Sequence, residues 1–138
     1  MKFLCSPRKP RADSQRNREK LLSVAKDAFA EQGPDVSLEE IARAAGVGIG
    51  TLYRHFPNRD AIVADVYRRE VEQLASAATR LSDEHAPAEA LQEWMRLFVE
   101  YIGTKKLMAS ALNTLVGGTT ELYAASGPRI TEAITLLV

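Results

Sequence analysis

Hydrogen-bond donors are concentrated in a short stretch within the N-terminal half of this 138-residue chain. Tyr53, Arg54 and His55 are consecutive, and Arg59 follows four residues later. Phenol, guanidinium and imidazole groups all donate hydrogen bonds, and contacts of this kind with phosphate oxygens set the affinity and orientation of a protein on nucleic acid. The stretch therefore predicts a contact with a polyanion.

The residues just before this stretch suit the edges of DNA bases. Ile49 and the methyl group of Thr51 can meet thymine methyl groups, and the Thr51 hydroxyl can bond to a base or a phosphate. Gly50, between them, allows a close approach of the backbone. Together the two sets of residues predict one surface that reads the DNA sequence and also binds the DNA phosphates.

The chain offers little for catalysis or metal binding. It has one cysteine, Cys5, and two histidines, His55 and His85. A single cysteine cannot form an internal disulfide or a cysteine metal cluster. Because no Ser/His/Asp or Cys/His set recurs on compatible elements, we expect no enzyme activity, no cofactor and no metal site.

Two short helices joined by a glycine turn are predicted to position the donors. Ser37 and Glu40 form a capping-box pattern, which marks the start of the first helix. Gly46 takes the turn, and the second helix is predicted from about Ile49 to Phe56. This spacing is that of a helix-turn-helix, whose second helix enters the major groove of DNA.

The predicted DNA-binding residues share three places: the cap of the first helix, the turn, and the exposed face of the second helix with one position beyond it. They are Ser37, Val47, Gly48, Ile49, Gly50, Thr51, Tyr53, Arg54, His55 and Arg59. Leu52 and Phe56, with Phe29 from the preceding helix, are assigned to the hydrophobic core.

Helical periodicity continues along the chain, and no segment alternates as a strand does. The predicted fold class is all-α, with an N-terminal three-helix DNA-binding domain that contains the helix-turn-helix and an incomplete helical regulatory domain after it. We expect a flexible basic arm over residues 1–13, the DNA-binding domain over residues 14–60, and a partial ligand-binding or regulatory domain over residues 61–138.

The C-terminal half is divided by several predicted breaks. A long helix capped by Asn58 is expected to end near Leu81, and Pro87 suits the first turn of the next helix. Further breaks are predicted at Gly103-Thr104 and at Gly127-Pro128, with a helix from about Lys106 to Val116 between them.

Charge is distributed unevenly, although the formal net charge is zero. Residues 1–20 hold seven basic and two acidic side chains. Arg8, Lys9 and Arg11 of the arm are predicted either to reach an adjacent minor groove or to form a solvated tail. No apolar run is long enough for a spanning helix or a signal peptide, which predicts a cytoplasmic protein without a membrane partner.

At these motifs the chain resembles the TetR family of transcriptional repressors. The matching positions are Ala25, Phe29 and Gly33, then Ile41-Ala42 and Ala45-Gly46-Val47, then Thr51-Leu52-Tyr53 and His55-Phe56. The close match covers about residues 15–70. Gly48 stands where the family usually has serine or threonine, so a capping hydroxyl is missing there, although glycine is an acceptable cap.

The resemblance implies a ligand-responsive repressor that binds a palindromic operator in double-stranded DNA as a homodimer. It also implies a small apolar or aromatic effector, whose binding changes the separation of the two recognition helices. Residues suited to line its pocket are Trp94, Phe98, Tyr101, Met108 and Leu112. The same residues would equally serve as the core of a helical domain.

The end of the chain leaves a second function open. The apolar stripe of Ile130, Ile134 and Leu137 stops at Val138 without a cap, whereas members of the family usually run longer. We therefore expect a C-terminally truncated member of the family. Such a chain would be a monomer or a weak associate in place of the implied homodimer. The alternative function is a helical protein-interaction remnant that no longer binds operator DNA specifically.

Overall fold

The secondary structure is helical throughout the described residues. A computed structural model describes residues 8–138, with side chains from residue 11 onward. This part of the chain contains seven helices and no strand. They are α1 (Arg8–Gln32), α2 (Leu38–Ala45), α3 (Ile49–His55), α4 (Arg59–Glu84), α5 (Pro87–Leu107), α6 (Ala109–Asn113) and α7 (Thr120–Leu137). The predicted all-α class is confirmed.

The first helix is longer than the sequence predicted. A start near Ser14 was expected after a flexible arm, but α1 begins at Arg8, so residues 8–13 are helical. Pro10 is compatible with this start because the first backbone N–H groups of a helix have no intrahelical acceptor. The rest of the predicted arm, and the side chains of Arg8 and Lys9, lie outside the described residues.

Local capping determines where the two short helices begin and end. The Glu40 backbone N–H donates to Ser37 Oγ at 3.0 Å, so the predicted cap of α2 is confirmed. Val36 and Ile41, on either side of the cap, are both buried. Gly46 ends α2 in the left-handed conformation with φ of 73°, which glycine adopts without the steric cost of a Cβ atom.

The long helix α4 is the central element, because α1, α5 and α7 all pack against it. The Ala61 backbone N–H donates to Asn58 Oδ1 at 2.9 Å, as the predicted cap requires. The helix extends to Glu84, three residues beyond the predicted end. Pro87 occupies the first turn of α5, as predicted.

Two breaks predicted in the C-terminal half are wrong. Gly103 lies inside α5, which continues to Leu107, so the helix expected from Lys106 is reduced to the five residues of α6. A glycine lowers helix propensity by only about 1 kcal/mol relative to alanine. The burial of Tyr101 and Met108 on either side of it offsets that cost.

The second wrong break is at Gly127-Pro128, which lies inside α7. An internal proline removes one backbone hydrogen bond and costs about 3 kcal/mol. Leu122 and Ala133 are buried on either side of the proline, and α7 makes extensive contact with α4. Tertiary packing therefore holds α7 as one helix.

Directed hydrogen bonds cross the core between α4, α5 and α7. The Ser126 hydroxyl donates to the Tyr123 carbonyl at 3.1 Å, so its oxygen accepts from the Tyr67 hydroxyl at 3.2 Å. Tyr67 in turn accepts from the Tyr101 hydroxyl at 2.7 Å. Burial raises the pKa of Tyr101, and the bond with Tyr67 raises it further. The proton that completes this chain therefore stays in place at neutral pH.

Over residues 8–138, no helix combines the length and the apolar character that crossing a bilayer requires.

Gly46 and Gly103 offer a matched test of this backbone. Gly46→Ala should lower the free energy of unfolding by about 1–2 kcal/mol, because a Cβ atom is unfavourable in the left-handed conformation. Gly103→Ala should raise it by about 0.5–1 kcal/mol, because alanine is the better helix former and its Cβ would meet no atom within 4 Å. Urea denaturation measures both changes. A change of the same sign in the two variants would contradict the left-handed conformation of Gly46 or the helical conformation of Gly103.

Candidate nucleic-acid interface

The helix α3 has one buried face and one exposed face. Leu52 and Phe56, just after the helix end, are fully buried in the core, as predicted. At the surface of the helix, Tyr53 is 48% exposed and Ile49, at the first position of α3, is 36% exposed. Core packing thus fixes the helix, while two large side chains stay available at the surface.

Thr51 and Arg54 form a polar pair on the exposed face. The Arg54 guanidinium donates to Thr51 Oγ1 at 3.0 Å, one helical turn away. A guanidinium has five N–H donors, so most of its capacity remains for another acceptor. The Thr51 hydroxyl hydrogen is likewise free to donate while its oxygen accepts from Arg54.

His55 lies at the end of α3 and is half-buried. Burial lowers its pKa below the ordinary 6.5, and the positive charges of Arg18 and Arg54 lower it further. The ring is therefore mainly neutral at pH 7, with one nitrogen that donates and one that accepts.

A groove joins the start of α1 to the exposed face of α3. It has a volume of 340 Å³ and is lined by Asp13, Ser14, Asn17, Thr51, Arg54 and His55. The three α1 residues are absent from the sequence-based site, because Asp13 was assigned to the arm and Ser14 and Asn17 were assigned to a helix without a contact role. A polar helical face over residues 13–17 was the signal that would have identified them.

Three of the predicted site residues serve the frame of the helix-turn-helix. Ser37 caps α2, and Val47 is half-buried against the core. Arg59 Nη1 donates to the Pro34 carbonyl at 2.8 Å and so ties the start of α4 to the α1–α2 connection. Gly48, which begins α3 without a side-chain cap, and Gly50 are both exposed.

Arg18 is a structural residue of this site that sequence reasoning missed. Its guanidinium lies 4.7 Å from the centre of the Phe56 ring, and it donates to Asp65 Oδ2 at 2.6 Å. One side chain of α1 therefore contacts both the end of α3 and the first half of α4. Nothing in the local sequence indicates its partners, because Asp65 lies 47 positions further along the chain.

Further ion pairs follow the line of contact between α1 and α4. Lys26 Nζ lies 3.0 Å from Glu70 Oε1, and Arg69 Nε donates to Glu19 Oε1 at 2.8 Å. Together with the Arg18 pair they distribute opposite charges along the two helices. The orientation of α1, and with it that of the groove, is thereby tied to α4.

The residues predicted for an effector pocket mostly pack in the core. Trp94, Met108 and Leu112 are at most 1% exposed, and Trp94 Nε1 donates to the Leu74 carbonyl at 2.8 Å. Phe98 stacks on Trp94 with ring centres 5.5 Å apart. A cleft of 610 Å³ between α1, α4 and α5 is lined by Tyr101 and by none of these other four.

Comparison with known proteins places this geometry in a family. The family model described as bacterial regulatory proteins, tetR family, matches residues 21–66. A crystal structure of a TetR transcriptional regulator from Streptomyces coelicolor is 46% identical with a TM-score of 0.79, and the match covers 87% of this chain and 69% of that chain.

Two more distant relatives are also transcriptional regulators of the TetR-like or helix-turn-helix type. The TetR-like transcriptional regulator LfrR from Mycobacterium smegmatis, solved in complex with proflavine, is 26% identical with a TM-score of 0.62, over 89% of this chain and 70% of that chain. A curated HTH-type transcriptional regulator from Staphylococcus aureus is 28% identical over 77% of this chain and 56% of its own length. The chain thus spans about half the length of the curated relatives it matches.

The chain belongs to the TetR family of helix-turn-helix transcriptional regulators. The predicted family is confirmed, and the motifs that indicated it lie within the matched residues 21–66.

The pKa of His55 tests the electrostatics of this surface without DNA. Arg54→Gln should raise it, because a nearby positive charge that disfavours the imidazolium is removed. Arg43→Gln, an exposed change on α2, is the control and should leave it unchanged. NMR titration of the ring resonances measures all three proteins, and a parent pKa at or above 6.5 would contradict the described surroundings.

The lowered pKa of His55 also makes the free energy of unfolding depend on pH in a defined direction. The unfolded chain takes up a proton at His55 more readily than the folded chain does, since the folded pKa is the lower one. Protonation therefore favours unfolding, and the contribution of His55 to stability decreases as the pH falls below 6.5.

Proposed function

We propose that this chain is a sequence-specific DNA-binding regulator that represses transcription in the cytoplasm. The observation that carries the proposal is the two-sided construction of α3. Leu52 and Phe56 fix one face in the core. Tyr53 and Arg54 are exposed, Thr51 is half-buried beside them, and all three carry hydrogen-bond donors. Such a face suits base edges and phosphates.

The size of α3 fits the role of a recognition helix. Seven residues make about two turns, or about 10 Å at 1.5 Å per residue. The major groove is about 12 Å wide and admits one helix. Gly48 and Gly50 carry no side chain at the leading end, so Ile49 and Thr51 can approach base edges closely.

The residues around α3 supply the phosphate contacts. Tyr53, Arg54 and His55 lie at its exposed side and its end, and Ser14 and Asn17 of α1 line the adjoining groove. Hydroxyl, amide and guanidinium groups all donate to phosphate oxygens. Arg59 holds the start of α4 against the α1–α2 connection through its hydrogen bond to Pro34. Its other N–H groups contact a DNA phosphate directly.

Repression follows from occupancy of an operator. Two recognition helices spaced by one turn of DNA, about 34 Å, read the two halves of a palindrome, which requires a homodimer of the whole protein. A small apolar or aromatic effector regulates this binding through the second domain. The proflavine complex of LfrR supports a ligand step within this fold.

A second candidate is a helical interaction module without specific DNA binding. The observation that favours it is an apolar stripe on α5, where Met95, Val99 and Ile102 lie on one face and are 44–67% exposed. Single exposed apolar residues are common, whereas a continuous stripe is typical of contact surfaces.

The proposal is tested by selecting binding sites from a random duplex library and then measuring affinity by fluorescence anisotropy. Thr51→Ala should weaken binding to the selected site by about 1–3 kcal/mol, because a base contact is lost, and should leave binding to unrelated duplex nearly unchanged. Thr79→Ala, an exposed threonine on α4, is the matched control and should bind as the parent does.

Two outcomes would count against the regulator. If no sequence is enriched from the library, the interaction module becomes the better reading. If a sequence is enriched but Thr51→Ala and Thr79→Ala bind it equally, then Thr51 is not in the interface.

A further inference from the structure

The exposed face of α5 carries a row of apolar side chains, which we call the α5 stripe. Met95, Val99 and Ile102 are 45%, 67% and 44% exposed. Their spacing of four and then three residues places them on one face of the helix. Trp94 and Tyr101 are buried on the opposite face, so the core fixes α5 while the α5 stripe lies at the surface.

No other element within residues 8–138 covers the α5 stripe, since each of its side chains keeps more than two-fifths of its surface exposed. The pattern of positions i, i+4 and i+7 is the one by which a helix packs against a second helix. Gly103 lies on the same face and is exposed, with nothing within 4 Å of the position that a Cβ atom would take. A second helix can therefore approach the α5 backbone closely there.

The charged residues of α5 are divided along its length. Glu89 and Glu93 precede the α5 stripe or lie at its start, whereas Lys105 and Lys106 lie in the last turn. A second α5 in the parallel direction would place like charges together. A second α5 in the antiparallel direction would place acidic ends beside basic ends, so the charges favour another copy of this chain related by a two-fold axis.

One position of that axis satisfies the apolar and the charged residues at once. In an antiparallel pair, a residue before the axis lies opposite the residue that is equally far beyond it. The midpoints of three complementary pairs all fall within one position of residue 98. Val99 would lie next to the axis and meet its own copy. The three pairs are Met95 with Ile102, Arg96 with Glu100, and Glu89 with Lys106.

The charged members of these pairs are accessible to a partner. Glu89, Glu100 and Lys106 are exposed. Arg96 lies 2.8 Å from Glu93 of its own helix, but both side chains are at least 40% exposed, and such a surface pair contributes little to stability. The apolar contacts would supply most of the affinity, and the charges would set the direction of the helices.

We propose that the α5 stripe is an interface between two copies of this chain, with the two α5 helices antiparallel about a two-fold axis near residue 98. A single pair of helices is smaller than a standard interface of about 800 Å² per partner. We therefore expect a weak dimer with a dissociation constant of about 100 μM. No residue of α3 takes part, so the interface does not depend on DNA binding.

Sedimentation equilibrium of the 138-residue chain, from about 10 μM to about 1 mM, tests the interface. The parent should show a monomer–dimer equilibrium. Val99→Glu should raise the dissociation constant at least about tenfold, because two carboxylates would meet at the axis. Val116→Glu is the matched control, since Val116 is 89% exposed and lies outside α5, and it should dimerise as the parent does. Circular dichroism checks that both variants keep the helical content of the parent.

Charge reversal tests the antiparallel direction. Lys106→Glu should raise the dissociation constant several-fold, because it places a carboxylate opposite Glu89. Adding Glu89→Lys to that variant should restore dimerisation toward the parent value, because the pair is re-formed with its signs exchanged. The proposal is overturned if the parent stays monomeric at about 1 mM, if Val99→Glu and Val116→Glu dimerise equally, or if the double variant dimerises no better than Lys106→Glu alone.

Discussion

The burial of Leu52 and Phe56 in the core is the interaction on which the position of α3 depends, and Arg18 reinforces it. Arg18 lies 4.7 Å from the Phe56 ring centre and donates to Asp65 at 2.6 Å. The helix α3 has seven residues, too few to be stable without tertiary support. Its position is therefore set by the helices it packs on, and Arg18 joins its end to both α1 and α4.

This arrangement makes α4 the physical link between the two parts of the chain. Its 26 residues span about 39 Å. The first half carries Asp65 and Glu70, which pair with α1. Glu72, at the middle of the helix, accepts from Arg129 of α7. The bond with Arg129 lowers the pKa of Glu72. A displacement of α4 would therefore move the surface that α1 and α3 form.

Features encoded within a few residues were predictable from the sequence. The cap at Ser37, the turn at Gly46 and the buried side of α3 each follow from neighbouring residues, and together they define the helix-turn-helix. The exposure of Tyr53 and Arg54 followed from the same pattern, because residues off the buried stripe of a helix face outward.

Features that rest on distant contacts were not predictable. Pro10 and Gly103 indicate breaks locally, but a first-turn proline needs no N–H acceptor and the packing around Gly103 sustains the helix. Arg59 meets Pro34 across 25 positions, and Arg18 meets Asp65 across 47. The cleft that Glu70 lines is formed where α1, α4 and α5 come together. A local sequence pattern cannot predict that three separate helices meet there.

Contact between the exposed face of α3 and DNA is tested most directly by NMR mapping. The isotope-labelled chain is titrated with a duplex that carries its selected site, and the amide shifts are followed along the sequence. Shifts are expected at residues 48–55 and 13–17, with residues 109–118 around α6 unchanged. Shifts confined to the α5 stripe, with α3 unaffected, would contradict it.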